Sequence, residues 1–267
     1  MTTRAPLALV TGASSGIGLE LAKLFVADGY DVVAVAVAVA EDPDLEAVAA
    51  RLSAGPGTVH AVVADLRTEA GVKTVGNALA ADGRPPAAAA LNAGIGRGGT
   101  FLDSDVTELL DVVDLDVRGT VHLAKIVLDA MASARAGKVL VTSSVAATLP
   151  GPYQTVYNAS KAFLQSFTAG LQSELKDSGI TVTSLMPGAT ATNFFRRARL
   201  EDSVMGRMPK DDPADVARQG YDAMQDGRRK VVAASWKSKA LAAAGAVLPG
   251  SVKAAAHKFL AKPRRSQ

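Results

Sequence analysis

The chain has 267 residues, 48% hydrophobic and 21% charged, which suffices for one large core and argues against two small domains. It has no cysteine, which excludes a disulfide framework and thiolate chemistry and fits a reducing compartment. The net charge of +3 hides an asymmetry: the stretch from Gly227 onward holds ten Lys or Arg and no acid, so residues 1–226, with nineteen basic and 26 acidic residues, stand at −7.

The first apolar run, Leu7 to Val10, begins too early to leave room for a signal peptide. The longest uncharged apolar runs, near Val32–Ala40 and Ala240–Leu248, fall well short of the roughly 20 residues a transmembrane helix needs, so a soluble, cytoplasmic protein is expected. After Val10 comes Thr11-Gly12-Ala13-Ser14-Ser15-Gly16-Ile17-Gly18, then Leu19, Leu21, Ala22, Leu24 and Phe25 at helical spacing. The order strand, glycine-rich turn, helix makes an anion site, because glycines admit a phosphate to the free N–H groups and dipole of a helix N-terminus. The alternation Ala34 to Ala40 reads as a lengthened second strand ending as late as Glu41 or Asp42. Val59–Ala64 is a third strand, followed by Asp65 and Leu66, and Ala87–Ala90 a fourth, followed by Leu91-Asn92-Ala93-Gly94.

A helical stretch near Val106–Met131 contains Asp116-Val117-Arg118-Gly119; the next strand, from Val139, ends in the serines Ser143 and Ser144. The helix near Tyr153–Lys176 carries Tyr157 and Lys161 four residues apart, on one face. An ammonium near a phenol stabilises the phenolate and can draw a tyrosine pKa from about 10 toward neutrality, where it exchanges protons with a substrate. The pair taken alone also describes a solvated helix face. Ile180–Leu185 is a further strand, leading to Pro187-Gly188 with Thr190 and Thr192 beyond. In the tail, Val252, Ala255, Ala256, Phe259 and Leu260 recur at helical spacing and predict an amphipathic helix that docks on its own domain or on a bilayer surface.

The T-G-x-x-x-G-x-G turn, Leu91-Asn92-Ala93-Gly94, Ser144 thirteen residues before Tyr157, and the Tyr157/Lys161 pair stand in one order. From about Pro6 to Val232 the chain thereby resembles the short-chain dehydrogenase/reductase superfamily. The resemblance implies an α/β fold: a single-domain Rossmann-type, doubly wound parallel sheet with helices on both faces. Residues 1–267 form one NAD(P)-binding domain, with a lid segment at about 190–213 and a basic tail at about 227–267. It implies an NAD(P)-dependent oxidoreductase moving a hydride between nicotinamide and a carbonyl or secondary alcohol. Tyr157 is then the proton donor or acceptor, Ser144 a donor to the same oxygen, and Lys161 a ribose ligand that keeps the Tyr157 pKa low. Cofactor contacts implied by position are Gly12, Ser14, Ser15, Gly16, Ile17, Gly18, Asp65, Leu66, Asn92, Ala93, Gly94, Tyr157, Lys161, Pro187, Gly188, Thr190 and Thr192. No metal is implied.

Two positions depart from the family pattern. Asp116 stands where an Asn usually precedes x-x-Gly; an ionised Asp accepts hydrogen bonds but donates none, and its charge near Lys161 would blunt the effect of that Lys on Tyr157. Counting 24 residues from Gly12, the place of the acid in NAD-preferring relatives is Ala36, and that of the arginine in NADP-preferring ones is Val37. If Glu41 or Asp42 reaches the ribose, NAD is favoured; otherwise Arg67 is the nearest base for a 2′-phosphate, and the cofactor stays NAD(P).

The substrate is expected to be a small carbonyl compound or alcohol. Phe194, Phe195, Met205 and Met208 in the lid favour a lipophilic one, while Arg196 and Arg197 permit an acidic or ketoacyl, carrier-linked one. The helices near 106–131 and 153–176 are the usual oligomer interface in relatives, implying a homodimer or homotetramer. The basic tail leaves open a membrane surface or an acidic carrier as partner. Nucleic acid is not expected, since only Trp236 and Phe259 interleave the basic residues. Two other readings fit parts of the chain. Gly12-Ala13-Ser14-Ser15-Gly16 also satisfies G-x-S-x-G with Ser14 as nucleophile, but of His60, His122 and His257 only the last lies late enough to complete a triad. Asp116 and the missing ribose ligand would also suit a catalytically silent cofactor-binding sensor or scaffold.

Overall fold

The computed structural model describes residues 4–38, 44–233 and 250–262. Seven strands, β1 (Leu7–Thr11), β2 (Asp31–Ala36), β3 (Val59–Val63), β4 (Ala88–Leu91), β5 (Gly137–Thr142), β6 (Ile180–Pro187) and β7 (Lys230–Ala233), form one parallel sheet in the order β3-β2-β1-β4-β5-β6-β7. The central strands are apolar throughout rather than alternating, because both of their faces are covered: every residue of β1 and β4 is buried. Alanines in β4 pair with β1 at Ala8↔Ala88, Leu9↔Ala89 and Val10↔Ala90.

On one face α1 (Gly16–Ala27), α2 (Leu45–Leu52) and α9 (Pro213–Gln225) enclose Leu21, Phe25, Leu45, Val216, Tyr221 and Met224. On the other, α3 (Glu69–Asp82), α5 (Thr120–Ala134) and α6 (Thr155–Glu174) enclose Val72, Val75, Leu123, Val127, Met131 and Leu164. Between these lie α4 (Val106–Val113), which runs through a wide π turn (Asp114–Gly119) into α5, and two short lid helices, α7 (Phe194–Arg197) and α8 (Val204–Arg207). The expected doubly wound architecture is present. Strand order reverses between β1 and β4, and such a switch point opens a crevice at the carboxyl ends of the strands.

β2 ends at Ala36, earlier than the alternation predicts, and Val37 and Ala38 follow it exposed. Glu41 and Asp42 lie outside the described residues, as do Trp236, Lys237, Lys239 and residues 263–267 of the tail. The tail helix, α10 (Gly250–Ala261), forms and packs against α8, but the wrong way round for the predicted stripe. Val252, Ala255, Ala256 and Phe259 face outward, while His257 and Ala261 are buried, with His257 Nδ1 3.1 Å from the Pro152 carbonyl. No helix among the described residues is long and apolar enough to cross a membrane.

The amino ends of β2, β3 and β4 are stapled by one carboxylate. Asp31 accepts hydrogen bonds from the Thr58 hydroxyl at 2.6 Å and amide at 3.0 Å, and from Arg84 at 2.8 Å. Burial alone would raise the Asp31 pKa, yet the bonds from Thr58 and Arg84 outweigh it and hold the group at about 2. A depressed acid contributes stability that is present above its unfolded pKa and lost as pH falls through the folded one. Asp31→Asn is expected to remove about 2 kcal/mol at neutral pH and to flatten the stability loss between about pH 4 and pH 2, read by denaturant titrations across that range.

Candidate active site

The crevice is built first by glycines. β1 delivers the chain to Gly12 and Gly16, both left-handed, with φ of 69° and 57°. Gly18 lies inside the first turn of α1, where a Cβ would overlap the Gly12 carbonyl oxygen and crowd the Asn92 side chain at 2.7 Å. Only a residue without a side chain lets α1 come this close to the strand ends, and that approach aims the helix N-terminus into the crevice. Thr11 and Asn92 lock the loop from below. The Thr11 hydroxyl accepts from the Asn92 amide at 2.9 Å and the Ala93 amide at 3.0 Å, the Asn92 side chain donates to the Thr11 carbonyl at 3.2 Å, and Thr142 donates to Asn92 Oδ1 at 3.0 Å. Three adjacent strand ends are thereby held in register.

A cavity of about 570 Å³ opens between this loop and the lid, lined by Ser15, Gly16, Thr192, Asn193, Arg196 and Lys210 among others. The wall carries two cations, Arg196 and Lys210, and two carboxylates, Glu20 and Glu201, and it is the N-terminus of α1 and the cradle around Gly18 that suit a diphosphate, so the residues fit a dinucleotide. Thr190 bridges to Asp211, the Thr192 hydroxyl accepts from the Phe194 amide at 3.3 Å, and the Gly188 amide donates to Ala233 at 3.2 Å, which fixes the turn after β6.

On the far side of the crevice Asp65 and Leu66 follow β3, but Asp65 is already engaged. The Arg67 guanidinium holds its carboxylate at 2.8–3.1 Å, with a further bond from Arg67 to Asp111 at 2.8 Å, and the hydrogen bonds from Arg67 draw the Asp65 pKa down. With its guanidinium shared between two carboxylates, Arg67 makes a poor anchor for a 2′-phosphate, contrary to the sequence expectation.

Ser144, Tyr157, Lys161 and Asp116 do meet. Ser144 caps a short 3₁₀ turn (Val145–Thr148) at the end of β5, accepting from the Ala146 amide at 3.1 Å, and hydrogen-bonds with Tyr157. Asn158 ties that turn to α6 by donating to the Ala146 and Leu149 carbonyls at 3.1 and 3.0 Å. Lys161 Nζ lies 5.6 Å from the Tyr157 ring centroid and 3.3 Å from Asp116 Oδ2. Asp116 has no exposed surface; it also accepts from the Ser160 hydroxyl and the Ile95 amide, both at 2.9 Å. Burial pushes its carboxyl up, against the attraction of Lys161 and the bonds from Ile95 and Ser160. The π turn admits one extra residue per turn and presents Asp116 toward α6.

The expected lowering of the Tyr157 pKa is not what the surroundings produce. Desolvation raises it above the ordinary tyrosine range, the Asp116 charge raises it further, and only the Ser144 hydrogen bond opposes them. The lid supplies the desolvation. The Phe194 ring sits 5.0 Å from the Tyr157 ring and 5.6 Å from Phe195, in an apolar cluster with Leu200 and Met205. Arg97 Nη1 donates to the Arg197 carbonyl at 2.6 Å, and Arg199 pairs with Glu108 at 2.6 Å, which holds the lid over the 95–99 loop. Ser160 and Arg97 were not singled out by sequence. Ser160 stands three residues after Tyr157, a helical neighbour whose spacing was available; nothing local marks Arg97, because its partner is a hundred residues away.

The rival nucleophile reading fails on geometry. Ser14 stands in the glycine loop before α1, whereas His257, on α10, is engaged with the Pro152 carbonyl, its Nδ1 3.1 Å away. Among the described residues no group of His, Cys, Asp and Glu could hold a metal ion.

A family model described as short chain dehydrogenase matches residues 6–203. Oxidoreductase UcpA of Escherichia coli (strain K12) is 30% identical over 251 residues, 91% of this chain and 92% of that protein. A short chain dehydrogenase of Pseudocercospora fijiensis (strain CIRAD86) is 32% identical over 189 residues, which are 70% of this chain and 60% of that longer protein. Among solved structures, a short-chain dehydrogenase from Sphingobium yanoikuyae in complex with NADPH matches with a TM-score of 0.79 and 27% identity, covering 98% of this chain and 97% of that one. Gly18→Ala is expected to weaken NADPH or NADH binding at least about tenfold, one missed phosphate contact being worth roughly that much, measured as loss of the melting-temperature rise that the cofactor gives the parent.

Proposed function

The chain belongs to the short-chain dehydrogenase/reductase superfamily and is an NAD(P)-dependent oxidoreductase acting between CH–OH and C=O, and from that premise we propose that its substrate is a lipophilic carbonyl compound or secondary alcohol. The observation that carries the proposal is the apolar roof on the catalytic phenol. Phe194 covers Tyr157 and is backed by Phe195, Leu200 and Met205. Of the lid cations, Arg196 and Lys210 line the glycine-loop cavity, where the diphosphate belongs, which turns these two away from a carrier-linked or acidic substrate.

The glycine loop, Asn92 to Gly94, and the turn from Pro187 to Thr192 would hold the cofactor, with Lys161 toward the ribose. When bound, the nicotinamide supplies or accepts the hydride. The rest is done by the protein's own groups. Ser144 donates to the substrate oxygen, and Tyr157 gives that oxygen a proton in reduction or takes one from the alcohol in oxidation. Charge arising on the oxygen meets donors already fixed by the 3₁₀ turn and α6, so little reorganisation accompanies the step. Phe194 excludes water from the phenol.

The outward faces of α4 and α6 expose Val106, Leu110 and Phe163, at 66%, 54% and 41%, and support a second copy of the chain as their cover. The outward stripe of α10, Val252 to Phe259 beside Lys258 and Lys262, supports contact with an anionic surface.

Tyr157→Phe removes the transferable proton and keeps the ring under Phe194. It is expected to lower kcat on a lipophilic ketone at least about 100-fold with cofactor affinity unchanged. Activity retained in that variant would contradict the assignment. A preference for short polar ketones over bulky apolar ones would contradict the substrate class.

A further inference from the structure

We infer that Asp116 is a positioning residue that cancels the charge of Lys161 and so biases the enzyme toward reduction at neutral pH. The inference rests on the oxidoreductase reading above and deepens it.

Among the described residues, the Tyr157 side chain or the Lys161 ammonium is faced by Ser144 from the end of β5, Phe194 from the lid segment, the backbone at Gly94 and Gly96, the Thr142 carbonyl, and Asp116 from the π turn. Of these only Asp116 is ionisable. Its carboxylate is completely buried, 3.3 Å from an ammonium whose side chain is 5% exposed. A second proton, giving ammonium with carboxylic acid and a net cation, enters only at lower pH; while the pair holds one shared proton, two arrangements are open, ammonium with carboxylate or amine with carboxylic acid. Both have zero net charge. In neither does Tyr157 face the net cation that would stabilise its phenolate.

The consequence is directional. Reduction of a carbonyl needs the phenol, which is present through neutral pH. Oxidation of an alcohol needs the phenolate, which this arrangement withholds until alkaline pH. Burial and the Asp116 charge both act on Tyr157 in this sense. Gly94 is what makes the pairing geometrically open: a Cβ there would lie 2.9 Å from Lys161 Nζ and 3.0 Å from Asp116 Oδ1.

The test is the pH dependence of kcat in both directions for the parent and Asp116→Asn, on one ketone and its alcohol, with NAD(P)H affinity read by fluorescence titration. Asn retains the shape and an acceptor for the Ile95 amide while restoring a net charge to Lys161. The oxidation limb, which rises with pH, and the reduction limb, which falls, should both move at least about one pH unit toward acid in the variant, with cofactor affinity within about twofold. Asp116→Ser carries the same expectation. Superimposable profiles in parent and variant overturn the inference, as does a parent whose oxidation is already half-maximal near neutrality; either leaves the oxidoreductase reading intact. No turnover and no cofactor binding in the folded parent would overturn that reading instead.

Discussion

The Lys161 ammonium and the Asp116 carboxylate meet 3.3 Å apart where neither reaches water, and three segments converge to make the contact. α6 brings Lys161 and Ser160, the π turn brings Asp116, and the loop after β4 brings the Ile95 amide past Gly94. Taking two charges out of water is unfavourable by several kcal/mol per ion, so the pair is tolerable only with its remaining hydrogen-bonding capacity filled. Ser160 and Ile95 donate to the carboxylate, and the Thr142 carbonyl accepts from the ammonium at 3.4 Å. The position of Tyr157, one helical turn before Lys161, is therefore set from beneath by a buried polar cluster and from above by the Phe194 ring.

This arrangement joins the two halves of the crevice. Thr142, which accepts from Lys161 through its carbonyl, also holds Asn92 through its hydroxyl, and Asn92 holds the loop after β1. A continuous set of hydrogen bonds thus runs from the glycine loop through three strand ends to α6. The glycine loop and the Tyr157/Lys161 pair share one hydrogen-bonded base.

Much of this was legible from residue types and spacing. β4 and β5 read as strands because their runs are uninterrupted, and the glycine turn, Ser144, Tyr157 and Lys161 carry their geometry in intervals that helices and strands impose. What was not legible depends on distant partners. The carboxylate at Asp116 is visible in the sequence, and so is the kind of effect it has, but its 3.3 Å contact with Lys161 spans 45 positions and requires the π turn. Arg67 reads as a free base until Asp65 and Asp111 are seen around it. The tail helix was predicted from its apolar period, yet it docks through His257 and Ala261: burial of a small face against α8 outweighed the larger Val252–Phe259 stripe.

In the proposed mechanism Tyr157 is a protonated acid at neutral pH with no net cation beside it. Ionisation of tyrosine is directly visible in the near-ultraviolet, and with only four tyrosines in the chain the signal of Tyr157 follows by subtracting a Tyr157→Phe titration from that of the parent. No ionisation assignable to Tyr157 is expected below the ordinary tyrosine value of about 10. A tyrosinate signal appearing near neutral pH, and lost in Tyr157→Phe, would contradict it.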